Sequence, residues 1–254
     1  MDNEMRERKI QFLCLATRLL LENGSETYRV EETATRMAKG IGLASLSISA
    51  FPTTILLESE GCARVLRINR RGTNTMRIAQ VNAISRRISC GEIDFLEAEA
   101  LLHKIEKTPP PPSWKMRIAY GISSAFFCLL LCSDIRTFIV SFVIGVLTQC
   151  VQPFFSNVEM GALFGNFAGG FLTAVLAQFA HLFIPFDSVN AAISGGIMPL
   201  LSGLLMTTAV RDTMFGDLVS GIARGAEAIL LAVSVALGVY VGLEAFAIVG
   251  RLAI

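Results

Sequence analysis

Apolar residues recur at helical spacing at Ile10, Leu13, Cys14, Thr17, Leu20 and Leu21, and Asn23-Gly24 supplies the left-handed position that ends such a helix. A second stripe, Val30, Ala34, Met37 and Ile41, predicts a helix over Tyr28 to Lys39. Glu31 and Glu32 lie near its start and Arg36 and Lys39 near its end, as the helix dipole prefers. The period then changes. Leu46, Ile48 and Ala50 alternate with Ser45, Ser47 and Ser49, Pro52 interrupts, and Thr53 to Glu58 and Ala63 to Asn69 are β-prone on either side of Glu60-Gly61. Three short antiparallel strands are the economical reading. Helical spacing returns at Ile78, Val81, Ile84 and Ile88, and again at Phe95, Ala98, Leu102 and Ile105, where Asp94 and Glu97 have the spacing of a capping box. The order ααβββαα predicts an α+β domain over residues 1–108.

Residues 109–113, with prolines at Pro109 to Pro112, predict a stiff extended linker, because proline fixes φ and cannot donate a hydrogen bond. Beyond it the pattern loses its polar face. Five apolar stretches follow within residues 114–254, at about 116–132, 135–155, 161–186, 189–210 and 218–250, against the roughly 20 residues that cross a ~30 Å hydrocarbon core. The first is marginal and the last exceeds what the core requires. The fold class expected is therefore a cytoplasmic α+β domain (ααβββαα) followed by an all-α transmembrane bundle of five helices.

Composition sharpens the division. The 254 residues are 53% apolar with a mean hydropathy of +0.57, yet 18 of the 22 Lys and Arg and 14 of the 21 Asp and Glu fall within residues 1–117. Acids are interleaved with bases and the net charge is +1, which gives no case for a nucleic-acid partner. The charged start, Met1 to Lys9, is followed by an amphipathic segment and not by the apolar core of a signal peptide, so the polar domain is expected in the cytoplasm. Five spans then place the C-terminus, Ile254, in the periplasm of a cell whose inner membrane holds the protein. Six cysteines without paired spacing read as reduced thiols. Neither a Walker A sequence, a dinucleotide loop nor a metal-ligand pattern occurs, so no cofactor, metal or catalytic residue is expected.

Pro199 lies near the middle of the fourth stretch and cannot donate to the carbonyl of Gly195. With Gly195, Gly196, Ser202 and Gly203 beside it, the helix is expected to kink or break at the depth where transporters present backbone groups to substrate. A kink tolerated for packing alone is the competing reading. Asn166 is a candidate substrate contact because an amide within lipid needs a partner, whereas the Gly161, Gly165, Gly169 and Thr173 stripe reads as close helix packing. Arg211, Asp212, Asp217, Arg224 and Glu227 form the densest polar cluster of the apolar half; an inner gate and a structural ion-pair network are equally good accounts.

Two segments carry a resemblance. Asn23-Gly24-Ser25-Glu26-Thr27-Tyr28-Arg29-Val30-Glu31-Glu32, and Gly196-Ile197-Met198-Pro199-Leu200-Leu201-Ser202-Gly203 continued by Arg211-Asp212, Gly216-Asp217, Gly221 and Arg224, resemble the threonine/serine exporter (ThrE) family, over nearly the whole chain and closest to its split form. The family's usual Pro-Gly is Ser202-Gly203 here, and Thr208 stands near a usual asparagine. The resemblance implies a secondary exporter of threonine and serine, or of dicarboxylates such as succinate, working with a separate small YjjB-like membrane subunit; homo-oligomerisation is compatible with it. A membrane-anchored regulatory or scaffold protein is the alternative from another class.

Overall fold

The computed structural model describes residues 2–43, 45–59, 61–69, 72–156 and 161–252. It divides into two compact units, one of residues 1–109 with 204–225, the other of residues 110–203 with 226–254.

The first unit begins with α1 (Asp2–Glu22) and α2 (Thr27–Gly40). Gly24 has φ +92°, a conformation open to glycine, and this lets the N–H groups of Gly24 and Ser25 turn back to the carbonyls of Leu21 and Leu20. A three-stranded antiparallel sheet follows, β1 (Ser47–Phe51), β2 (Thr54–Ser59) and β3 (Cys62–Arg67), in the order β1-β2-β3. Ile55, Leu57 and Ser59 of the central strand point inward, alternating with more exposed neighbours as a one-sided sheet requires. Next come α3 (Thr75–Ser89), capped by the Asn74 side chain on the Arg77 N–H, and α4 (Phe95–Lys107), capped by Asp94 on the Glu97 N–H. Ile10, Leu13, Leu20, Val30, Met37, Ile55, Leu57, Val81 and Leu102 are fully buried in one core. Each such side chain contributes about 1.5–3 kcal/mol of transfer free energy.

The second unit contains α5 (Ser113–Leu129), α6 (Ile135–Ser156), α7 (Gly161–Phe183) and α8 (Val189–Ile197), which runs into a 3-10 turn over Met198–Leu200. Then follow α9 (Gly203–Met214) and the long α10 (Leu218–Leu252). Asp134 starts α6: its carboxylate accepts the Thr137 hydroxyl at 2.6 Å and the Thr137 and Arg136 N–H groups at 2.9 and 3.1 Å. These hydrogen bonds, the Thr137 hydroxyl first, hold its pKa at about 2. Glycine sets the spacing of α7 and α10. A Cβ at Gly170 would sit 2.4 Å from the Val235 carbonyl oxygen, and one at Gly238 2.1 Å from that of Phe167.

The expected cytoplasmic α+β domain followed by a five-helix transmembrane bundle is overturned. Among the described residues the chain is predominantly helical, the one small sheet lies in a unit that is not confined to the N-terminal segment, and α9 with the first turns of α10 belongs to that same unit. The cause is chemical: Arg211, Asp212, Asp217 and Arg224, on and between these helices, are polar partners of the α2 start. Nor do the described residues include five long apolar helices. Among the described residues three are long and apolar enough to cross a membrane, Ile135–Gln152, Gly161–Phe183 and Leu218–Ile248, or four if the bent pair Val189–Leu200 and Gly203–Met214 is one span. The 17-residue α5 includes Lys115 and Arg117 and falls short. Between the second and third apolar stretches residues 157–160 lie outside the described residues, as does Ile254.

Candidate functional site

A helix start leaves backbone N–H groups without intrahelical acceptors. At α2 the N-cap residue is Glu26, whose side chain makes no cap bond. The acceptors come from α9 and the turn after it: the Thr27 N–H donates to Asp212 Oδ1 at 3.1 Å, and the Thr27 hydroxyl donates to Asp217 Oδ2 at 2.8 Å. Asp212 is fully buried. Its Oδ2 lies 3.4 Å from the Arg224 Nε, and a second Arg224 nitrogen donates to the Ser25 carbonyl at 2.9 Å. Glu26 pairs with Arg211 at 2.8 Å and, more loosely, with Arg29 at 3.9 Å. Tyr28 stacks on Phe215 with ring centroids 4.2 Å apart. Glu31, one turn along α2, accepts the Ala50 N–H at 2.7 Å, and burial pushes its carboxyl pKa up.

Buried charges persist when they are paired and hydrogen-bonded, and here the carboxylates of Asp212 and Asp217 converge on one threonine, with the buried Arg224 guanidinium against Asp212. The arrangement fastens α2 to α9 and α10 within the first unit through charge, beside the stacked rings of Tyr28 and Phe215. Removing one partner of such a pair leaves the other uncompensated, at a cost of about 3–5 kcal/mol.

The second unit holds the helix interruption. Helix α8 stops at Ile197, Pro199 lies in the 3-10 turn, and Leu201 is extended with ψ 123° before Gly203 opens α9. Asn166, buried on α7, donates to the Leu200 carbonyl at 3.4 Å and accepts from the Gln152 amide at 3.0 Å. Below it, Thr148 and Thr173 hydroxyls meet at 3.2 Å, and the Thr173 hydroxyl donates to the Gly169 carbonyl. Gly195 and Gly196 are close-packed: a Cβ at Gly195 would sit 2.6 Å from the Ser124 carbonyl oxygen and one at Gly196 2.7 Å from the Thr173 methyl. Ser202 is half-buried, and Gly203 is exposed with open space where a Cβ would stand.

Of the residues singled out from the sequence, Asn166 is brought to the carbonyl of Leu200 beside Pro199, and Arg211, Asp212, Asp217 and Arg224 share one cluster. Glu227 is half-buried on α10, in the other unit. Sequence reasoning missed Ser25, Glu26 and Thr27 as partners of that cluster, and Gln152 as the partner of Asn166. A signal existed: an uncapped helix start with a threonine and a glutamate, and an excess of buried charge far downstream, are complementary.

The sequence matches the family profile described as "Putative threonine/serine exporter" (ThrE) over residues 11–246. The chain belongs to this family. It is 23% identical over 254 residues to "Probable succinate transporter subunit YjjP" of Klebsiella aerogenes, with 98% of each chain covered. It is 23% identical over 256 residues to the protein of the same name from Escherichia coli (strain K12), covering 96% of this chain and 98% of that one. Against "Probable threonine/serine exporter" of Mycobacterium tuberculosis the identity is 21% over 250 residues, 95% of this chain but 47% of the relative, so the chain spans about half of that protein. No solved structure matches. ThrE proteins and these relatives are transporters and not enzymes, and the long apolar helices make this ThrE chain a membrane protein.

Proposed function

We propose that this chain is one subunit of a secondary inner-membrane exporter of small polar metabolites, threonine and serine or a dicarboxylate such as succinate, acting with a second, small membrane subunit. Membership of ThrE supports export, and the word subunit in the YjjP names supports a partner. The unit of residues 1–109 with 204–225 faces the cytoplasm in this reading, because most of the chain's basic residues lie there.

The observation that carries the substrate site is the interrupted helix beside Asn166. A helix that stops at Ile197 and restarts at Gly203 leaves backbone carbonyls and N–H groups without intrahelical partners. Asn166 already reaches one of those carbonyls, that of Leu200. In this reading Asn166 and Ser202 contact substrate, Pro199 maintains the break, and Gly195, Gly196 and Gly203 keep the backbone approachable. Arg211, Asp212, Asp217 and Arg224 act as the inner gate; Glu227, one turn further along α10, is a separate candidate.

The test is efflux. Cells lacking this chain and its partner, loaded with labelled threonine, serine or succinate, should release at least one of them more slowly, and restoring both proteins should recover the rate. Unchanged efflux of all three overturns the reading.

A further inference from the structure

The Asp212 carboxylate is bound on one oxygen and not on the other. Oδ1 accepts the Thr27 N–H, while Oδ2, inside a side chain with no exposed surface, has no hydrogen bond and lies 3.4 Å from the Arg224 Nε. The Ser25 hydroxyl, on a residue 1% exposed whose carbonyl accepts from Arg224, is also buried without a hydrogen-bond partner. The charged groups of the network that Asp212 belongs to are Glu26 at the N-cap of α2, Arg29 and Glu31 on α2, Arg211 on α9 itself, Asp217 in the turn, and Arg224 on α10 with Glu227 one turn beyond it.

A buried carboxylate is stable charged only while its counter-charge and donors stay in place, and an ionisable group held in this way within a transporter is suited to carrying a proton. We infer that Asp212 is the proton-carrying residue of this protein, ionised when α9 and α10 are fastened to α2 and protonated on Oδ2 when they are released. The inference rests on the exporter reading. The proton comes from water on one side of the membrane, occupies the oxygen that has no hydrogen bond, and leaves to water on the other; no other bond changes. Protonation removes the negative charge that caps the α2 N-terminus and that balances Arg224, so both attachments weaken together.

Two measurements on the full-length chain test this. The first is infrared difference spectroscopy in detergent during a pH titration, which needs no substrate. Every Asp and Glu gains the carbonyl stretch of a protonated acid as pH falls, and the component that belongs to Asp212 should appear as a band present in wild type and missing from Asp212→Asn. No such band, or a band unchanged in that variant, overturns the inference. The second is succinate and threonine flux in proteoliposomes containing the chain and its partner. Asp212→Asn should lose accumulation driven by a pH gradient, and Asp212→Glu should move the pH profile of flux by about half a unit, the difference between the two acids' ordinary pKa values. Gradient-driven accumulation that persists in Asp212→Asn also overturns the assignment. Wild-type protein that moves neither solute while the titrating band is present and lost in Asp212→Asn counts against the exporter reading, with the protonation site upheld.

Discussion

The Thr27 N–H donates to the Asp212 carboxylate at 3.1 Å, so the first turn of α2 is capped by a side chain 185 residues away in sequence. A cap is ordinarily a local device, supplied by the residue that precedes the helix. Here the local residue, Glu26, is turned instead to Arg211, and the capping carboxylate is borrowed from α9. The consequence is cooperative: a change that displaces α9 also uncaps α2.

Thr27→Val keeps the backbone donor but removes the hydroxyl that binds Asp217 at 2.8 Å. Leaving that carboxylate short of a donor should cost about 1–3 kcal/mol. Thermal unfolding in detergent should show the loss, and Thr27→Ser should recover most of it. Equal stability of the valine and serine variants would remove the hydroxyl from the account.

Gly24→Ala should destabilise by about 1–2 kcal/mol, the usual cost of a Cβ in the left-handed region. The residue has φ +92°, and the added Cβ would stand 3.1 Å from the Gly72 carbonyl oxygen. Far-UV circular dichroism against temperature checks it, with Gly61→Ala as comparison, where φ is +79° but nothing lies within 4 Å.

Gly170→Ala and Gly238→Ala should each disturb the packing of α7 against α10, because the new Cβ meets backbone oxygen at 2.4 and 2.1 Å, and backbone cannot rotate away. Overpacking of this kind costs about 1–3 kcal/mol or more. Size-exclusion profiles in detergent should broaden for both and stay sharp for Gly203→Ala, where the space is open.

Glu31 gives a pH signature. Its pKa is raised by burial, offset in part by the Ala50 N–H and increased further by Asp217. A carboxyl whose folded pKa lies above its unfolded value stabilises fully below the unfolded pKa, about 4.3, and that contribution is lost as pH rises through the folded value. Glu31→Gln should therefore match or exceed wild-type stability at neutral pH, and the advantage should shrink on acidification toward the unfolded pKa. Thermal midpoints across the range check the sign; a variant less stable at neutral pH than at acid pH, relative to wild type, would contradict it.

Local chemistry was legible in the sequence and long-range pairing was not. Asn23-Gly24 marked a turn, Asp94 and Glu97 marked a helix start, and Pro199 marked the interruption between α8 and α9, each because the controlling residues lie within a few positions of one another. Hydropathy counted five apolar stretches, yet it cannot register that Arg211, Asp212, Asp217 and Arg224 find their partners at residues 25–27 and so take α9 and the start of α10 into the first unit. Asn166 was legible as an amide in need of a partner; that Gln152 and the Leu200 carbonyl supply it depends on helix packing that no periodicity encodes.

The central claim is that residues 25–29 and 211–224 act as one transport element, and the contact between Glu26 and Arg211 at 2.8 Å allows it to be tested as a cycle. Efflux of labelled succinate and threonine should be measured in cells carrying Glu26→Gln, Arg211→Gln or both, with the partner protein present. The account predicts that each single change slows efflux and that the double variant is no slower than the worse single, as for residues that work through one contact. Losses that multiply in the double variant, or single variants indistinguishable from wild type, would contradict it.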